Sequence, residues 1–75
     1  MKEMDMIVLR RPLPEHNLEA GDIGTVVYVY ENEKAVEVEF VTGEGSTVAV
    51  VTLSLNDVRS LGQKEILHVR DLLAA

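Results

Sequence analysis

Alternation between apolar and charged residues is the feature of this sequence that most constrains its fold. Three apolar residues, Val36, Val38 and Phe40, alternate with two acidic residues, Glu37 and Glu39. Because a strand turns successive side chains to opposite faces, this pattern predicts a sheet with one buried and one solvent-facing side. Further short segments rich in β-branched residues follow one another along the chain, which predicts an all-β fold.

Turn signals separate these segments into five strands. Pro12 and Pro14 end the first strand in a long loop, because proline cannot donate a hydrogen bond to a strand ladder. Tight hairpins separate the strands that follow, and Ser54 caps a single helical turn before the last one. This arrangement predicts a small five-stranded SH3-like barrel. We expect the strands at residues 5–10, 23–30, 35–41, 47–53 and 58–61.

The expected core follows from the same alternation. Val36, Val38, Phe40, Val51 and Leu53 are predicted to be buried, with Glu37 and Glu39 exposed. In the second strand Val26, Tyr28 and Tyr30 share one parity and Ile23, Val27 and Val29 share the other, so both faces of that strand are apolar. Gly24 interrupts this strand, and we predict a bulge, a positive φ or a close backbone approach there.

The C-terminal residues have a different pattern. Four aliphatic residues recur at three- and four-residue spacing, namely Ile66, Val69, Leu72 and Leu73. They predict a short amphipathic helix over residues 63–75, appended to a barrel that spans residues 1–62, with a short strand through residues 66–69 as the alternative. These side chains need an apolar surface on which to dock. We expect it either within the chain or, preferably, across a homodimer, because a domain this small has a thin core.

The charge balance excludes some classes of partner. The 75 residues carry 7 basic and 13 acidic side chains and a net charge of −6, which repels the phosphate backbone of nucleic acids. The sequence contains no cysteine, which rules out disulfides and thiolate metal sites and favours a cytoplasmic location. Apolar runs are short, so neither a signal peptide nor a membrane span is expected.

Several segments together resemble a known family. They are residues 13–18 (Leu-Pro-Glu-His-Asn-Leu), residues 21–27 (Gly-Asp-Ile-Gly-Thr-Val-Val), residues 36–40 and residues 51–53. This combination is similar to a family of small bacterial domains of unknown function. The segment at residues 21–27 also resembles the KOW-type entry into SH3-like barrels of ribosomal and transcription proteins, which implies a fold but carries no catalytic residue.

Motifs for catalysis or metal binding are missing from the sequence. His16 and His68 are far apart and match no zinc signature, and the pair His68 and Asp71 is typical of a solvated helix face. No Gly-x-Ser-x-Gly turn is present, and the glycines around Glu44 indicate a hairpin instead of a phosphate loop. We therefore expect no enzyme activity, no cofactor and no bound metal.

The most specific functional expectation is a protein-interaction module with a basic partner, encoded nearby, as for an antitoxin or immunity protein. Acidic residues concentrate in the middle of the chain, close in sequence to two tyrosines. They fit either an ordinary solvated sheet face, whose charges guard against edge pairing, or an acidic docking patch for a basic surface, on which the functional expectation depends. The alternative is a KOW-like nucleic-acid or ribosome-associated module, which needs a gathered basic patch. The predicted partner-binding residues are Tyr28, Tyr30, Glu31, Glu33, Glu37, Glu39 and Glu44.

Overall fold

The computed structural model describes residues 1–32 and 34–72 and contains five strands. These are β1 (Met6–Leu9), β2 (Ile23–Val29), β3 (Ala35–Val41), β4 (Thr47–Ser54) and β5 (Val58–Ser60). Short 3-10 turns occupy Pro14–His16 and Leu55–Asp57, and the Ser54 side chain caps the second by accepting a hydrogen bond from the Asn56 amide at 3.1 Å. The predicted all-β class and the predicted strands are confirmed, with strand limits within one residue.

All five strands belong to one antiparallel sheet in the order β4-β3-β2-β1-β5. The last strand therefore pairs with the first, through partners such as Ile7 and Ser60. Among the described residues β4 and β5 do not pair with each other, so the sheet is open and the predicted closure into a barrel is not completed. β5 has only three residues, and its hydrogen bonds go to β1.

The core lies on one face of the sheet and in the loop after β1. Val36, Val38, Phe40 and Leu53 are buried as predicted, while Val51 is half-buried and packs against the core. The loop contributes two residues that the alternation did not single out. Its Leu13 and Leu18 form an isolated bridge and are both buried. The remaining core residues are Ile7, Leu9, Val26, Ala49 and Val58.

A bulge in β2 corrects the predicted facing of that strand. Val26 pairs with Val38 and Tyr28 pairs with Glu37, so Val27 is an extra residue without a counterpart on β3. The bulge shifts the alternation by one position, which places Val26 in the core and turns the Tyr28 side chain outward. The prediction that Val26 and Tyr28 share a face was therefore wrong.

Gly24 has a different role from a turn or bulge residue. It pairs in regular register with Ile7, and the glycines with positive φ are Gly21 and Gly45, so the bulge and positive-φ predictions were wrong. The close-approach prediction is right, since a Cβ at Gly24 would lie 2.5 Å from Val38 Cγ1. It would also lie 2.9 Å from Phe40 Cε1. Gly24 thus lets β2 pass close to the side chains of β3.

The C-terminal segment, here called the tail (residues 61–72), forms neither a helix nor a strand in its described part. The predicted helix and the alternative strand are both wrong for residues 63–72. A helix this short is unstable without packing of its apolar side chains. Ile66 and Val69 are 91% and 88% exposed, so that packing is not made. No helix in the described part of the chain is long and apolar enough to cross a bilayer.

Candidate interaction face

Two tyrosines and two glutamates lie together on the sheet face that points away from the core. The register places Tyr28 opposite Glu37, and Tyr30 follows directly after β2. Glu39 lies two residues further along β3, opposite Thr25. We call the surface formed by Tyr28, Tyr30, Glu37 and Glu39 the acidic aromatic face. It contains four of the seven residues predicted to bind a partner.

The two tyrosine rings pack against each other. Their centroids are 5.0 Å apart and their planes are inclined by 82°, an edge-to-face arrangement. Aromatic pairs favour this geometry because the positive edge of one ring meets the negative face of the other. Tyr28 is 46% exposed and Tyr30 is 36% exposed, so each ring keeps an accessible surface. The pair is an exposed aromatic element with a defined shape.

Hydroxyl groups hold both carboxylates in place. Glu37 Oε1 accepts hydrogen bonds from the hydroxyl of Tyr30 at 3.2 Å and from the hydroxyl of Thr52. Glu39 Oε2 accepts one from Thr47 Oγ1 at 2.8 Å. The two glutamates are consequently half-buried, where exposed side chains were predicted. Within the described chain these side-chain bonds reach one oxygen of each carboxylate, which leaves the other oxygen for a ligand.

Valine and threonine side chains of β4 extend this face, and sequence reasoning did not assign them to it. Val50 lies opposite Glu39 and Thr52 lies opposite Glu37. Val50 is 52% exposed. Val48 and Val50 have the same sequence parity, but a bulge in β4 turns Val48 towards the core, and only the register with β3 shows that Val50 faces the glutamates.

The remaining predicted partner-binding residues lie elsewhere. Glu31 is exposed in the turn after β2. Glu44 lies in the β3–β4 hairpin, where its carboxylate accepts a hydrogen bond from Ser46 Oγ at 3.3 Å. Because these two turns lie at opposite ends of β3, Glu31 and Glu44 flank the face but do not join it. Glu33 lies outside the described residues.

An ion pair anchors the start of the tail to β5. Arg59 donates from Nη1 to Glu65 Oε1 at 2.7 Å and from Nη2 to Oε2 at 2.8 Å. The backbone amide of Gly62 also donates to Glu65 Oε1, at 2.6 Å. The hydrogen bonds from Arg59 and then from Gly62 lower the pKa of Glu65 from 4.5 to about 2.

A second ion pair anchors the end of the tail to the start of β2. Arg70 donates two hydrogen bonds to the carboxylate of Asp22, at 2.6 and 2.8 Å, and one to the carbonyl of Asn17 at 2.9 Å. Burial by itself would raise the pKa of Asp22. The hydrogen bonds from Arg70 and from the Glu19 amide, with the charge of Arg70, outweigh it and hold the pKa below its ordinary value.

These anchors leave the predicted tail-docking residues largely exposed. Ile66 and Val69 are almost fully exposed, and Leu72 is 42% exposed. Val69 and Leu72 lie beside an open groove of about 460 Å³, which is also lined by Phe40 and Val48. The expected apolar docking of the tail within one chain is therefore limited to this groove. Leu73 lies outside the described residues.

Residues that could hold a metal do not gather in the described structure. Within residues 1–32 and 34–72, no group of three histidine, aspartate or glutamate side chains is close enough to bind an ion. His16 belongs to the first 3-10 turn, and His68 lies in the tail beside the groove.

Fold and face together define a small all-β domain with an acidic, aromatic surface on an open antiparallel sheet. A family model described as a domain of unknown function, DUF4926, matches residues 3–60, and the chain belongs to this family. The expected membership of a family of small domains of unknown function is thus confirmed. Comparisons with curated proteins and with solved structures find no match.

Proposed function

We infer that this domain is a non-enzymatic protein-interaction module that binds a basic surface of another cytoplasmic protein through its acidic aromatic face. The observation that carries the proposal is the edge-to-face pair of Tyr28 and Tyr30 directly beside Glu37 and Glu39. Tyrosine is enriched at protein interfaces, where its ring supplies contact area and its hydroxyl supplies a hydrogen bond. Carboxylates next to such rings suit a partner rich in arginine or lysine.

The geometry of the face favours recognition of a guanidinium or ammonium group. A cation placed over an exposed tyrosine ring is attracted by the ring's negative face, and a carboxylate beside it accepts its hydrogen bonds. Because Tyr30, Thr47 and Thr52 already fix the two glutamates, less side-chain freedom is lost on binding. The net charge of −6 adds long-range attraction, which raises the rate of encounter with a basic partner.

An antitoxin- or immunity-like role is the finer form of this proposal. In such a role the domain would cover a basic surface of an enzyme encoded nearby. Three features support this role: the small size of the chain, its net negative charge, and one face whose side chains are held in place. The strand order is also compatible with an SH3-like fold.

Ion pairing weighs against the alternative, a KOW-like nucleic-acid module. That alternative needs Arg10, Arg11, Arg59, Lys64 and Arg70 to form one basic surface. Arg11 pairs with Asp57 at 3.0 Å, and Arg59 and Arg70 are the two tail anchors. Each of these three arginines is already paired with a carboxylate. They therefore do not form a free basic surface that could displace counterions from a phosphate backbone.

A peptide titration tests the face directly. We suggest octa-arginine as the probe, followed by amide chemical shifts of the full chain, with the double variant Glu37→Gln/Glu39→Gln and the charge-matched control Glu3→Gln/Glu15→Gln. Shifts centred on β2 and β3 that weaken in the first variant but not in the control support the proposal. Shifts spread evenly over all acidic residues would contradict it.

A pull-down from the source cells tests the biological form of the proposal. The tagged chain is compared with Tyr28→Ala/Tyr30→Ala, which removes the aromatic pair and keeps every charge. We expect a basic protein, encoded near this gene, to be retained by the native chain and lost from the variant. Equal retention by both chains would exclude the face as the binding site.

A further inference from the structure

The two edges of the sheet are unlike each other. β5 is three residues long, and its Arg59 is charged and paired with the tail. These are the devices by which natural proteins protect an edge from pairing with another chain. β4, the opposite edge, spans eight residues and contains no charge and no proline, and its bulge at Val48 lies near its start and leaves the ladder from Ala49 to Ser54 regular. Among the described residues its backbone hydrogen bonds go to β3 alone.

We propose that β4 is an interface for a second copy of this chain, paired antiparallel edge to edge across a two-fold axis. A two-fold axis perpendicular to the sheet makes the two edge strands antiparallel, and the surface is the same on both copies. Eight neutral residues, five of them apolar, can therefore meet themselves without opposing any charge. The two sheets would join into one continuous sheet of ten strands.

Side-chain facing restricts the register of this pair. Directly opposed residues of an antiparallel pair must lie on the same sheet face, so the axis has to pass beside a residue and not between two residues. An axis beside Val50 opposes the two copies of Val50 on the outer face and Ala49 with Val51 on the core face. The bulge that turns Val48 towards the core ends the regular ladder there. Val50 is the most exposed apolar side chain of β4, so this register covers the largest apolar surface.

Charge separation favours this edge over the acidic aromatic face as the contact between copies. In the proposed register the two Glu39 side chains are three strand spacings apart, roughly 14 Å. That distance exceeds the screening length of about 8 Å at physiological salt, so their repulsion is weak. Stacking two copies through the face itself would bring the glutamates into direct opposition.

The protected β5 edge makes the assembly finite. Once two β4 strands pair, the ends of the joined sheet are the two β5 strands, which are short and covered by the ion pair to the tail. No free long edge is left on which a third copy could add. The arrangement predicts a closed dimer and no filament.

A charge pair across the axis tests this proposal. Sedimentation of the full-length chain is compared with Val50→Lys, Val50→Glu and a mixture of the two variants. We expect the native chain to dimerise and each variant alone to have a dissociation constant at least about tenfold higher, because like charges oppose each other. The mixture should recover the dimer, since lysine then faces glutamate, and recovery also shows that both variants are folded.

The matched control is Val41→Lys. Val41 is 51% exposed, against 52% for Val50, but lies on β3 and not at the edge, so its dimer should persist. A native chain that remains monomeric up to about 1 mM would overturn the proposal. A dimer that survives Val50→Lys but is lost in Val69→Lys would also overturn it, because the tail would then form the contact.

Discussion

Arg70 and Asp22 form a bidentate ion pair across 48 residues of sequence, with hydrogen bonds of 2.6 and 2.8 Å. Arg70 also lies 3.5 Å from the carboxylate of Glu19. One guanidinium thus meets two carboxylates and a backbone carbonyl at the start of β2. Arg70 lies beyond the residues that match the family model, so the pair ties this extension to the family domain.

Replacement of Arg70 should release the end of the tail. We expect Arg70→Ala to increase amide exchange and fast motion in residues 66–72, measured by NMR, while the sheet is unchanged. The pair is partly exposed to solvent, so the loss in unfolding free energy should stay below about 1 kcal/mol. Arg10→Ala is the control, because Arg10 is also exposed. Unchanged dynamics of the tail in Arg70→Ala would show that the pair does not anchor it.

Acid should loosen the first tail anchor in a defined pH window. The pKa of Glu65 is about 2 in the folded chain against an ordinary 4.5, so the charged form is favoured by folding. This stabilisation is complete above the ordinary value and is lost as the pH falls from 4.5 towards 2. The amide shift of Gly62 should report the transition, which Glu65→Gln should abolish. A midpoint near the ordinary value would contradict the assigned contact.

A side chain at position 24 should destabilise the sheet. In Gly24→Ala the new Cβ would meet Val38 Cγ1 at 2.5 Å and Phe40 Cε1 at 2.9 Å, so the core must shift. Overpacking of this kind costs about 1–3 kcal/mol of unfolding free energy, measurable by urea denaturation. Gly43→Ala is the matched control, since a Cβ there meets nothing within 4 Å. Equal stability of the two variants would show that the absence of a side chain at Gly24 is not needed for packing.

Deletion of Val27 should leave the sheet folded. Val26 and Tyr28 then follow each other directly, and they already pair with Val38 and Glu37, so regular alternation keeps Val26 in the core and Tyr28 outward. We expect the deletion variant to keep a cooperative thermal transition, followed by circular dichroism. Deletion of Val38 is the control, because it shifts the alternation of β3 and forces a glutamate towards the core. Loss of the cooperative transition on deletion of Val27 would refute this account.

Removal of the Ser54 cap should weaken the turn that leads from β4 to β5. The Ser54 hydroxyl accepts the Asn56 amide, and losing such a cap costs about 1 kcal/mol. Ser54→Ala should therefore lower the urea midpoint, while Ser60→Ala, at an exposed position of β5, serves as the control. Identical midpoints would indicate that the cap bond does not contribute.

The sequence predicted the elements that local patterns control. Val36, Val38 and Phe40 were placed in the core because strict alternation over a strand leaves one arrangement in which the glutamates avoid burial. The cap at Ser54 was also predictable, since a serine before a polar turn has a local hydrogen bond to make.

The rest depends on contacts between distant residues. The bulge at Val27 is visible only in the register with β3, because the β2 sequence is apolar at both parities. The tail follows helical spacing, but its conformation is set by partners near positions 22 and 59, which spacing does not reveal. In the candidate face, the sequence identified Tyr28 and Glu37 as partner-binding residues. It did not predict that these two residues pair across neighbouring strands.

The pairing of β5 with β1 has a consequence for synthesis of the chain. After β1 to β4 have left the ribosome, β1 still has one bare side, and its partner β5 arrives only with residues 58–60. The contact joins positions about fifty residues apart, so the closure of a long loop must precede it, and such contacts form slowly. A nascent chain paused before Val58 would therefore display two open edges, β1 and β4, and depend on chaperones until translation resumes.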